Sequence, residues 1–144
     1  MTQSAQERLI CKNNQGETVW EVELPDTLSI RDIAASHGML YLAGLTGEMD
    51  EYGNLLIDQK GILLCFDQLG NKRWEQVYPD IASYFWLSLP NAEGCYAFAS
   101  DYATDIMQTY IVSVYPDGVT ERAGYLVGSV TTALYTRFFL TEDG

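Results

Sequence analysis

Leu9-Ile10-Cys11-Lys12-Asn13-Asn14-Gln15-Gly16-Glu17-Thr18-Val19-Trp20-Glu21 is written a second time, 54 residues on, as Leu63-Leu64-Cys65-Phe66-Asp67-Gln68-Leu69-Gly70-Asn71-Lys72-Arg73-Trp74-Glu75. The apolar pair, Cys, Gly, Trp and Glu hold their places while the residues between them change. An internal repeat of this period indicates stacked supersecondary units. Each copy reads as a β-hairpin: a short apolar strand, a turn ending in a Gly able to take positive φ, and a strand carrying a large Trp. Neither Gly nor Trp does chemistry, so the repeat speaks to architecture.

Outward from these hairpins, apolar runs of about four to eight residues are punctuated by Gly, Asn and Asp, and no helical period persists. The first hairpin runs Arg8 to Cys11, turns at Asn13 to Gly16 and returns as Thr18 to Leu24, where Pro25 stops it. Its copy is Ile62 to Phe66, Asp67 to Gly70, and Lys72 to Tyr78 before Pro79. A third copy is Tyr110 to Tyr115, Pro116-Asp117-Gly118, and Thr120 to Val127, without a Trp four residues after Gly118. Two strands separate successive hairpins: Leu28 to Ala35 with Met39 to Ala43, and Ser83 to Leu89 with Cys95 to Ser100, where Gly38 and Gly94 open the second of each pair. A last strand is expected over Thr132 to Leu140. The expectation is one all-β domain over 1–144, built of antiparallel four-stranded blade-like units ordered hairpin, strand, strand. The units cover roughly 8–61, 62–109 and 110–144, about two and a half in all.

Gly16-Glu17-Thr18-Val19-Trp20 and Phe66 to Trp74 resemble the outer-strand hairpin of quinoprotein-type (PQQ-like) repeats, the blades of a β-propeller. The resemblance covers most of residues 8 to 144. It implies a propeller-like stack in which each Trp packs between neighbouring blades, and it carries no functional residue with it. Propellers use about four to eight blades. Fewer units in one chain imply completion of the ring by self-association, or closure into a β-sandwich or barrel instead.

The chain has 144 residues, 47 % of them hydrophobic, with ten Tyr, three Trp and five Phe against four Pro, a β-leaning composition able to bury one core. Eight Lys and Arg against 20 Asp and Glu give a formal charge of −12, which repels phosphate backbones and anionic membranes. Nucleic acid and membrane are therefore not expected partners, whereas a protein with a basic surface is. Met1 to Arg8 is polar and no apolar run is long enough for a signal peptide or span, so a cytoplasmic location is expected. Cys11, Cys65 and Cys95 form no C-x-x-C pair and are odd in number, the pattern of reduced thiols in strands.

Signals for chemistry are sparse. His37, the single histidine, lies in a Ser36-His37-Gly38 turn, without a nucleophile elbow, and is given no catalytic role. Thr46 to Asn54 gathers Glu48, Asp50 and Glu51 in a Gly-bounded loop, and the equivalent loop carries Asp101 and Asp105. Their spacing does not match a calcium loop, so solvated tips are expected, with no metal and no cofactor. Two carboxylates such as Asp50 and Asp101 serve glycoside hydrolysis only when held roughly 5 to 9.5 Å apart. Tyr84, Phe85 and Trp86 alternate across a strand, so one face is core and the other suits a sugar ring or a partner protein. Gly124 to Ser129 lacks the Lys of a phosphate loop.

The function expected from these features is a non-enzymatic binding or interaction module, self-associating through strand edges, with Tyr84, Trp86, Glu48, Asp50 and Glu51 as partner-facing residues. The alternatives are a small glycosidase-like hydrolase using loop carboxylates and an acidic inhibitor protein.

Overall fold

The computed structural model describes residues 7–52, 55–78, 84–90, 94–101, 108–118 and 120–127, and among these there are ten strands and no helix. β1 (Arg8–Lys12) and β2 (Thr18–Glu23) form a two-stranded hairpin. β3 (Leu28–Ser36), β4 (Met39–Met49), β5 (Leu55–Asp67) and β6 (Lys72–Tyr78) make a four-stranded antiparallel sheet in chain order. β7 (Tyr84–Pro90), β8 (Cys95–Asp101), β9 (Gln108–Val114) and β10 (Thr120–Val127) make the third sheet, also four-stranded, antiparallel and in chain order. The expected strand at Thr132 to Leu140 lies outside the described residues. Over the described residues the fold is all-β and its sheets are not closed into a barrel, because each four-stranded sheet keeps its own two edges, β3 and β6 in one, β7 and β10 in the other.

The sheets group strand, strand, hairpin, whereas the repeat read from sequence groups hairpin, strand, strand. β4 pairs with β5, and β8 with β9, straight across the boundaries at 61/62 and 109/110. A repeat fixes its period but not its phase, and backbone hydrogen bonds alone choose where one sheet ends.

The hairpin turns are built alike. Gly16, Gly70 and Gly118 have φ of 84°, 83° and 87°, and each N–H donates to the carbonyl three residues back. This is a tight turn closed by a left-handed residue, which Gly adopts without steric cost. Asn13 Oδ1 accepts from the N–H of Gln15 and Glu17 at 2.9 and 3.0 Å, and Asp67 Oδ1 accepts from Leu69 and Asn71 at the same distances. Immediately after these two turns the register slips by one residue, leaving Val19 and Arg73 without an opposite number. That bulge sets Trp20 opposite Cys11 and Trp74 opposite Cys65. The third hairpin has no slip there, and Glu121 stands opposite Ser113.

The central sheet is buried on both faces. Along β5, Ile62, Leu64 and Phe66 join Leu42, Leu28 and Leu24 in a cluster against Leu9 and Val22 of the first hairpin. Leu63 and Cys65 join Tyr41 and Ala43 in a second cluster with Cys95, Ala97 and Val114 of the third sheet. The two-residue side-chain period of a strand explains the division. On β3 a slip at Arg31 reverses the faces, so that Ile30 packs toward the first hairpin and Ala34 toward the third sheet. Each fully buried Leu contributes roughly 1.5 to 3 kcal/mol.

Two indole rings clasp the stack. Trp20 donates its ring N–H to the carbonyl of Gln68 at 2.8 Å, and Trp74 donates to Pro116 at 3.1 Å. In each case the acceptor lies two residues before the turn Gly of the next sheet, and that Gly lies under the ring. A Cβ on Gly70 would come within 2.9 Å of the Trp20 ring, and one on Gly118 within 3.2 Å of Trp74. The Trp thus fills the space that the missing side chain leaves.

Candidate functional site

The acidic segment is strand for longer than its composition suggests. β4 runs on through Thr46 to Met49, paired with β5 at Thr46–Lys60, Glu48–Ile57 and Met49–Leu55, so the expected loop over Thr46 to Asn54 shrinks to a tip. Cross-strand pairing overrides the Gly and the acids, whose local preference is for turns. At Gly47 the register shifts, and Asp58 takes φ of 52° in the bulged strand. Asp is among the residues that tolerate this conformation, and bulges re-aim side chains.

That irregularity shapes a shallow cleft of about 290 Å³ at the rim of the central sheet, lined by Thr27, Thr46, Gly47, Glu48, Asp58, Lys60 and Val77. It brings one expected residue, Glu48, beside a second carboxylate, an ammonium and two hydroxyl-bearing side chains. Such a lining can hold a small polar group by hydrogen bonds and charge. Asp58 and Lys60 were not anticipated from sequence. The interruption of an apolar run by Asp58-Gln59-Lys60 was the available signal, but only the pairing with β4 turns it into a site.

The other acids do not converge there. Asp50 follows β4, half-buried, and its Oδ1 accepts the N–H of Tyr52 at 2.9 Å, while Glu51 is exposed in the turn. Asp101 ends β8 in the other four-stranded sheet, and Asp105 lies outside the described residues. Among the described residues no three His, Cys, Asp or Glu side chains gather as metal ligands.

Tyr84 and Trp86 both lie on β7, opposite Ser100 and Phe98 of β8, and share one face of the strand by its period of two. β7 runs against β3 and β4 of the central sheet. Only the backbone of Tyr84 and Trp86 belongs to the described structure. His37 sits in the two-residue turn between β3 and β4 with φ of 49°, exposed, its Nδ1 2.8 Å from the hydroxyl of buried Ser36. No carboxylate contacts its ring among the described hydrogen bonds, so a triad is not assembled.

The three cysteines are free thiols, with Cys65 and Cys95 buried and Cys11 half-buried. Burial pushes the Cys65 thiol up to about 11, against a smaller opposing pull from Arg73. Burial, with the neighbouring Cys65, pushes Cys95 up to about 12. Both are the wrong way for nucleophiles, which need lowered values.

These observations define an acidic all-β protein of stacked antiparallel sheets, clasped by Trp, with a polar rim cleft and a two-stranded first sheet. No helix among the described residues is long and apolar enough to cross a membrane. Comparison with protein-family models, curated proteins and solved structures finds no match to this chain.

Proposed function

We propose that the chain is a non-enzymatic binding module that pairs with an edge strand of a second copy along the free edge of β1. The observation that carries this reading is positional. β5 is bonded to β6 on one edge and β4 on the other, and β9 to β10 and β8, whereas β1, at the same place in its hairpin, pairs only with β2 among the described residues. Leu24 N–H donates to Glu7 O, so by strand alternation Leu9 and Cys11 bond to β2 while the N–H groups of Arg8, Ile10 and Lys12 point outward. A row of outward donors is a template for another strand. The propeller-like reading belongs to the same proposal: the Gly-x-x-x-Trp hairpins and their inter-sheet clasps support blades whose ring is completed by association. The free thiols fit a reducing, cytoplasmic setting.

Light scattering coupled to gel filtration over a range of concentrations tests it. A discrete dimer or ring is expected, lost in Ile10→Pro, which removes one outward N–H and no hairpin bond. Ile10→Lys, a charge on the edge, gives the same result if the Pro variant does not fold. A monomer at every concentration overturns the proposal.

A second reading, a small hydrolase, is favoured by the meeting of Glu48 and Asp58 in one cleft. It requires a bell-shaped pH dependence of turnover that Glu48→Gln abolishes.

A further inference from the structure

Among the described residues the stack contains a receiving site for Trp three times over, and two of the three are filled. Each consists of a turn Gly at φ near 85° with no side chain on its outer face, and a carbonyl two residues before it. Gly70 with Gln68 O receives Trp20, and Gly118 with Pro116 O receives Trp74. In the first hairpin Gly16 and Asn14 occupy the same positions of an identically bonded turn. A Cβ built on Gly16 meets nothing within 4 Å, and Asn14 O accepts no hydrogen bond among the described residues.

We infer that the Gly16–Asn14 turn is a docking site for a Trp-bearing β-hairpin of another chain, which would lay its indole on Gly16 and donate the ring N–H to the Asn14 carbonyl. This surface continues an interface used twice within the molecule: the same backbone conformation, the same missing Cβ and the same acceptor offset select the same side chain. On the outward face of this hairpin Ile10 is 45 % exposed and Arg8 is paired with Glu21 at 2.8 Å. A second copy stacked in the same direction offers no indole to this seat: its third hairpin has Glu121, opposite Ser113, where the others have Trp opposite Cys. Trp20 and Trp74 are already engaged. The occupant is therefore a different Gly-x-x-x-Trp hairpin, and this surface is separate from the β1 edge proposed above for self-pairing.

The test uses the full chain, labelled with ¹⁵N, and as probe a peptide of residues 62–78 with Cys65→Ser, closed by a disulfide between added terminal cysteines so that the hairpin is held. Saturable amide shifts are expected at Asn14, Gln15 and Gly16. A peptide with Trp74→Ala, and one whose indole nitrogen is methylated, are each expected to bind about tenfold or more weakly. Gly16→Asn, which keeps the left-handed turn but adds a Cβ, weakens binding to the same extent. The methylated peptide, used with the unaltered chain, carries the test if that variant does not fold. Absence of saturable shifts, shifts that survive loss of the indole N–H, or shifts confined to Arg8, Ile10 and Lys12 overturn the inference. The last outcome assigns binding to the β1 edge and leaves self-pairing standing.

Discussion

Trp20 donates its indole N–H to the carbonyl oxygen of Gln68 across 2.8 Å, although 48 residues separate them in the chain. The bond ties the first hairpin to the turn of the next sheet and covers Gly70, whose φ of 83° and proximity to the ring leave no room for a side chain. Trp20→Phe keeps most of the apolar contact and removes the donor, so a loss of about 1 kcal/mol is expected. Gly70→Ala combines backbone strain with a Cβ forced against the indole and costs more, about 1 to 3 kcal/mol. Urea unfolding at pH 7 measures both. A Trp20→Phe protein as stable as the parent would mean that the clasp bond contributes nothing.

The second turn is held by Asp67. Hydrogen bonds from the backbone N–H and side-chain amide of Asn71, with a further bond from Leu69 and the nearby Arg73, hold its carboxyl below the usual carboxylate range. A lowered folded value gives stability that is present above the unfolded pKa and is lost as pH falls through the folded one. Asp67→Asn, which copies Asn13 of the first turn, keeps the acceptor and flattens that acid limb. Asp67→Ala lowers the unfolding midpoint at neutral pH. Melting temperatures between pH 5 and 2.5 distinguish the two, and identical behaviour of both variants would contradict the turn's dependence on this side chain.

At the alkaline end the buried thiols act in the opposite sense. Unfolded Cys ionises near 9, while Cys65 and Cys95 are pushed up to about 11 and about 12 in the fold. Above the unfolded value the unfolded chain sheds protons that the folded one retains, so stability falls with rising pH, by about 1.4 kcal/mol per pH unit per thiol, until each folded value is reached. Below pH 8 the thiols contribute no slope. The Cys65→Ala, Cys95→Ala double variant is expected to lose stability at neutral pH and to show a shallower decline between pH 9 and 11, as followed by denaturant titration.

Tyr41 lies wholly buried between the central and third sheets, its ring 6.3 Å from that of Trp74, and its hydroxyl has no hydrogen-bond partner among the described residues. Desolvation raises its pKa, so the phenol remains neutral. An unsatisfied buried hydroxyl costs about 1 to 3 kcal/mol. Tyr41→Phe is therefore expected to be as stable as the parent or more so, by up to about 1 kcal/mol. A clear loss in thermal unfolding would reveal a bond made by that oxygen.

Much of the fold was legible along the chain. β6 and β10 run from Lys72 to Tyr78 and from Thr120 to Val127, as their turn and Pro signals imply. The turns at Gly16, Gly70 and Gly118 follow from residues adjacent to them. β4 and β5 were read too short, because Gly47, Glu48 and Asp58 are poor strand residues taken singly and are held by each other's strands. The site was less legible for the same reason: Glu48 was in view, but its neighbours Asp58 and Lys60 come to it only through pairing.

The sequence by itself determined the all-β class, the period of the repeat, the turn chemistry and the positions of the two clasping Trp residues. These depend on local conformational preference and on the alternation of side chains. The tertiary structure alone decided where one sheet ends and the next begins, which way the bulges at Val19 and Arg73 turn the indoles, and that among the described residues β1 pairs on one edge only and no ring covers Gly16. Strand pairing is a choice among distant segments with the same local pattern, and only the hydrogen bonds and contacts made on folding distinguish them.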